Sequence, residues 1–128
     1  METNPVLGLL GLSRRAGKLA CGEEQVGEMV AIGKCRAIFL AEDAGDATRR
    51  KVMRHDARVP VFSMPCTRET LGNAIGVPGC VVCAVSDMGM AAALAGKLAD
   101  TSAQNRAAAA RVSEKKARID RRKGKKKK

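Results

Sequence analysis

Three short apolar runs constrain this chain more than any other feature: residues 36–41 (RAIFLA), 59–63 (VPVFS) and 80–85 (CVVCAV). Each has the length of a strand and is bounded by turn formers, while the segments between them have helix signals. Asn4 and Pro5 fit the cap and first position of an opening helix, with Val6, Leu9, Leu10 and Leu12 as its apolar residues and Gly17 as its stop. Residues 18–21 are short enough for an edge strand. Gly22 then leads a second helix with Val26, Met29 and Val30 at helical spacing and Gly33 beyond its end. Residues 47–57 read as a charged third helix. Thr67 caps a fourth through Ile75, residues 76–79 form a turn, and Ser86 or Asp87 caps a final helix to about Leu98. Pro60 places its strand near a start or an edge.

Strands alternating with helices predict an α/β fold, a three-layer α/β/α sandwich around a small mixed four-stranded sheet. A chain of 128 residues suits one domain. No apolar run is long enough to cross a bilayer and no signal peptide is visible, so the expected compartment is the cytoplasm.

Five cysteines, Cys21, Cys35, Cys66, Cys80 and Cys83, argue by their odd number and ordinary apolar surroundings against a disulfide framework. Cys80 and Cys83 have the spacing of half a zinc site. Strand alternation is expected to turn them to opposite faces, and no second pair completes the set. No metal or cofactor is expected.

The net charge of +11 is unevenly distributed. Residues 100–128 hold 12 Lys and Arg against 3 Asp and Glu, a net +9, leaving +2 for residues 1–99. The division predicted is a folded domain over 1–99 and a basic, mobile extension over 100–128, with too little apolar surface to pack until it is bound. Its terminal cations, Arg121, Arg122, Lys123, Lys125, Lys126, Lys127 and Lys128, are suited to phosphates, with strong salt dependence and no sequence preference.

Nothing in the sequence asks for catalysis. The single histidine, His55, lies in the charged third helix, no serine sits in a nucleophile elbow, and no phosphate-binding glycine loop is present. Glu42 and Asp43 follow a strand, where adjacent carboxylates are commonly a solvated loop. Two Phe, no Tyr and no Trp exclude the aromatic base-stacking platforms of many single-strand binders. A nucleic acid would have to be bound through charge, polar edges and shape.

The order Gly17-Lys18, three residues, Gly22-Glu-Glu-Gln-Val26, then Gly33, IFLAED, VPVF, ETLGNAIG and VVCAVSDMGMA resembles the kink-turn-binding ribosomal protein family. That family includes large-subunit ribosomal proteins seven-Ae and thirty-e and small bacterial relatives. The resemblance covers about residues 5–98. It implies a non-enzymatic protein that binds sharply bent RNA with tandem sheared G·A pairs beside a bulge, in association with the ribosome or with transcription and translation factors.

The family's reading helix begins Gly-x-Asn-Glu-x-x-Lys, which the resemblance lays onto Gly22, Glu24, Gln25 and Glu28. Gly22 is kept, and Gln25 retains both a donor and an acceptor for a guanine edge. Glu24 replaces an amide by a pure acceptor, and Glu28 reverses a charge. Arg14, Arg15, Lys18 and Lys34 are the nearby cations that would offset them. The resemblance also implies an apolar lid for a flipped-out nucleotide from Val77, Pro78, Gly79 and Cys80, and a third contact at Asp43 and Ala44. The competing reading is an interaction module of the ribosome or transcription machinery in which only the basic extension touches nucleic acid.

Overall fold

The central strand, β2 (Ala37–Ala41), is buried at every residue, which requires covering layers on both faces. Alternation sends Ala37, Phe39 and Ala41 into one cluster and Ile38 and Leu40 into the other. In this computed structural model, which describes residues 4–127 and the side chains of 5–123, the sheet order is β1-β4-β2-β3. Its other strands are β1 (Leu19–Cys21), β3 (Val61–Met64) and β4 (Val82–Val85). β2 pairs parallel with β3 and antiparallel with β4, and β4 pairs antiparallel with β1. The sheet is mixed, and β1 is an edge strand, as expected.

Helices α1 (Asn4–Arg15), α4 (Arg68–Ile75) and α5 (Met88–Leu98) cover one face through Leu10, Leu71 and Leu94. Helices α2 (Glu23–Ala31) and α3 (Asp46–Met53) cover the other through Val26, Val30 and Val52. These layers form the α/β/α sandwich. Thr67 and Asp87 cap α4 and α5 by accepting from the amides of Thr70 (3.3 Å) and Met90 (2.9 Å). The charged third helix changes to a turn of 3-10 helix over Arg54–Ala57. The two Phe rings stack on each other in the core, with centroids 5.3 Å apart.

Two expectations are corrected. The segment after Asp100 does pack: it forms α6 (Ala103–Lys127), whose Ala108 and Val112 are buried in the core of the α1/α4/α5 face. Polar anchors supply what its few apolar residues do not. β3 is the second edge strand, and α6 satisfies its outward backbone groups. The Asn105 amide accepts from Ser63 N and donates to Ser63 O, both at 2.8 Å, and Gln104 Nε2 donates to Val61 O at 3.0 Å. The Arg111 guanidinium adds bonds to Oδ1 (3.0 Å) and the carbonyl oxygen (2.7 Å) of Asp56.

The second correction concerns Cys80 and Cys83, which share one core cluster rather than facing opposite ways. β4 begins at Val82, so strand alternation does not extend back to Cys80. Among the described residues, no group of three or more His, Cys, Asp or Glu could hold a metal ion. None of the described helices is long and apolar enough to cross a membrane.

Candidate nucleic-acid interface

Strand direction decides which loops meet. β1 and β2 end, and β4 begins, at the same end of the sheet, so residue 22, the loop 42–45 and the turn 76–81 come together there. Leading α2 at this end, Gly22 has φ 90° and ψ 159°, a region that residues with a Cβ rarely adopt. Its own N–H is bonded to Val82 O (2.9 Å), tying the helix start to β4. No side chain caps α2, and the amides of its first turn lack intrahelical partners.

Gln25 is exposed, and its Oε1 accepts from the amide of Cys21 at 3.2 Å. That bond fixes the amide's orientation and leaves the Nε2 protons for an external acceptor. Gln25 therefore presents a donor, a narrower role than its sequence allows. Glu23 is turned aside to α3, accepting from Thr48 Oγ1 at 3.3 Å and lying 4.0 Å from Lys51 Nζ. Glu24 and Glu28 are exposed on α2.

Asp43 is exposed but paired with the start of α4. Its Oδ1 accepts from Arg68 N (2.8 Å), its Oδ2 lies 3.4 Å from Arg68 Nε, and its carbonyl accepts from Arg68 Nη2 (2.6 Å). Arg68 thereby neutralises an acid that would otherwise face an anionic ligand. Ala44 packs against the core on the α2/α3 side.

The turn after α4 is set by a close approach. A Cβ on Gly72 would lie 2.5 Å from Val77 O and 2.8 Å from Gly79 N, so only glycine lets the turn fold back onto the helix. Pro78 and Gly79 are exposed and Val77 half-buried, while Cys80 is buried with Sγ 3.1 Å from Val82 O. The apolar surface is thus Val77 and Pro78 without Cys80. Burial pushes the Cys21 thiol above its ordinary range, reinforced by Cys80 beside it, so Cys21 is not a poised thiolate.

The flanking cations divide. Arg14 belongs to this end, where its Nη1 donates to Ile75 O (2.7 Å) and Gly76 O (3.4 Å) and satisfies the last carbonyls of α4. It positions the turn. Arg15 is exposed at the end of α1. Lys18 lies at the opposite end, three residues and about 10 Å back along β1, where its Nζ is 3.4 Å from Asp87 Oδ1. Lys34 follows α2 and is also remote from Gly22.

Arg121, Arg122 and Lys123 are exposed on α6. Lys125, Lys126 and Lys127 continue the helix, but their side chains lie outside the described residues, as does the whole of Lys128. The sequence reading missed Gly72, Arg68 and the anchors Gln104 and Asn105. Of these, only Gly72 had a signal, a glycine inside a helical pattern.

Comparison with known proteins agrees with this architecture. The model of the ribosomal protein L7Ae/L30e/S12e/Gadd45 family matches residues 5–95. RNA-binding protein YlxQ of Bacillus subtilis (strain 168) is 36% identical over 85 residues, 65% of this chain and 84% of that protein. The Enterococcus faecium protein of the same name is 35% identical over 74 residues, 56% of this chain and 71% of that one. A solved structure of a protein with unknown function from Bacillus halodurans superposes with a TM-score of 0.68 at 38% identity, covering 73% of this chain and 95% of that one. The Giardia lamblia 15.5kD RNA binding protein shares the fold, with a TM-score of 0.60 at 20% identity over 76% of this chain and 87% of that one. The chain belongs to the ribosomal protein L7Ae/L30e/S12e/Gadd45 family.

Proposed function

We propose that this chain is a non-enzymatic RNA-binding protein that recognises structured, kink-turn-like RNA through the end of its sheet bearing Gly22, Gln25 and the 76–79 turn. The observation that carries the reading is the convergence there of a glycine-led helix start, an oriented amide donor and an apolar turn. Each suits one feature of such an RNA: free amides for a phosphate, Gln25 Nε2 for a guanine carbonyl oxygen, and Val77 with Pro78 for a displaced base. The relatives named as RNA-binding proteins point the same way. The cations of α6, through Lys123 and the lysines beyond it, add affinity indifferent to sequence. A cytoplasmic location and association with the ribosome or with transcription and translation factors complete the proposal.

The test is titration of the full chain with a kink-turn RNA and with a control whose sheared G·A pairs are disrupted. A preference of at least tenfold, about 1.4 kcal/mol, is expected. Equal binding of the two RNAs would overturn shape reading and leave the alternative, a protein-interaction module whose basic helix alone touches nucleic acid.

A further inference from the structure

At the end of the sheet opposite Gly22, a groove of about 470 Å³ runs between α6 and the loops that lead into β2 and β3. Its floor is apolar, with Val59, Pro60 and Val112, and its charged lining is Arg36, Arg58, Arg111, Lys115 and Arg118 against a single acid, Glu114. The Arg111 guanidinium is pinned to Asp56. Among the described residues none of the six ion pairs involves Arg36, Arg58, Lys115 or Arg118. These four cations, facing one carboxylate, leave the small concavity strongly positive, an arrangement that a globular surface does not hold without cost unless an anion occupies it.

The helix wall is pre-organised. Asn105, Gln104 and Arg111 fasten α6 to β3 and Asp56, so the cations beyond them are held in fixed register with Arg36 and Arg58. Arg111, Lys115, Arg118 and Arg122 follow one another at intervals of four, three and four residues, which places them on one face. At 1.5 Å per residue this stripe is about 16 Å long, enough to follow several successive phosphates. Of the exposed large hydrophobics among the described residues, Leu12, Ile32 and Met53, none is on α6 and Ile32 alone adjoins the groove, beside Ala31 and Gly33; one such side chain is too few to insert this surface into a lipid interface.

We propose that this groove is a second RNA site that grips the phosphodiester backbone of a separate, regularly paired RNA segment, so that one molecule bridges two stretches of RNA. The choice of RNA rests on the RNA-binding reading above. The geometry of the groove does not. The two sites stand at opposite ends of the sheet, separated by the length of β2, about 17 Å.

The test uses the full chain and a labelled, fully paired RNA duplex with no bulge. The variant R36A/R58A/R118A is compared with K97A/R106A/K116A, which removes equal charge from the α5/α6 surface. All six side chains are at least partly exposed, and circular dichroism checks that both variants fold. The groove variant is expected to bind the duplex at least tenfold more weakly and to lower the salt slope by about 0.9 for each phosphate it no longer neutralises. Its ratio of kink-turn to disrupted-control binding should not change. The control variant should lose much less affinity. Chain bearing one equivalent of unlabelled kink-turn RNA, its stems too short to reach from the Gly22 end to the groove, should still take up the duplex. Equal losses in the two triple variants, or competition by kink-turn RNA for the duplex, would overturn the second site. Failure of kink-turn selectivity alone would overturn only the reading of the Gly22 end.

Discussion

The two ends of the sheet solve opposite electrostatic problems. At the Gly22 end acids and cations offset one another: Glu23 is held by Thr48 and Lys51 of α3, and Asp43 by Arg68; Arg49 and Arg14 are committed to the carbonyls of Glu42 and of α4, and Glu24 and Glu28 stay exposed. Charge there cannot be the main attraction for RNA, and what the surface offers is oriented amides, one directed donor and an apolar turn. The far end has little shape to read but a row of cations on a fastened helix. On the proposed function, selectivity and affinity belong to different places, and each should be removable without the other.

The largest expected effect comes from loosening the helix that makes the far end basic. Asn105→Ala leaves Ser63 N and Ser63 O without partners, at about 1–3 kcal/mol for each group. Denaturant unfolding should show a loss of several kcal/mol and a flatter salt dependence of RNA binding, with selectivity for the kink-turn kept in the fraction that remains folded.

A smaller effect, in the opposite direction, is expected at the Gly22 end. The double variant E24N/E28K supplies a donor-bearing amide and a positive charge where acids now stand, and should tighten kink-turn binding about tenfold, roughly 1.4 kcal/mol. Binding of a fully paired duplex should change far less. If both RNAs gain equally, the variant has only added charge, and the contrast between the ends weakens.

The smallest effect concerns a feature that belongs to neither site. Asp87 caps α5, and the Met90 amide it accepts from holds its carboxyl below the usual range, with Lys18 contributing. Asp87→Ala should cost about 1 kcal/mol at neutral pH. Because the folded value is depressed, this stabilisation is present above the ordinary carboxylate range and lost as pH falls through the folded value. The melting temperatures of the two proteins should therefore converge on acidification, with RNA selectivity at neutral pH untouched.

Much of the fold was legible because its signals are local. The runs 36–41 and 80–85 announce β2 and β4, and Thr67 and Asp87 announce α4 and α5. The packing of α6 was not legible. Only Ala108 and Val112 mark its apolar side, and its main anchors are amides that bond to the backbone of β3, which no hydrophobic periodicity records. At the candidate interface, Gly22 and Gln25 were indicated by the resemblance to the family's reading helix. The direction of the Gln25 donor depends on a bond to Cys21, and the burial of Cys80 depends on where β4 begins. Lys18 and Lys34 flank the Gly22 segment in the chain but stand at the other end of the sheet, a separation set by β1 for Lys18 and by α2 for Lys34.

The central claim, that the Gly22 end reads shape while the groove at the far end supplies charge, is tested most directly by a double comparison. Binding of kink-turn and disrupted RNAs, each extended by a paired segment long enough to reach the groove, is measured across a salt series for Gln25→Ala and for R36A/R58A/R118A. Gln25→Ala should lose most of the preference and keep the salt slope, whereas the groove variant should keep the preference and lose slope. If either variant reduces preference and slope together, the two functions share one surface and the account is contradicted.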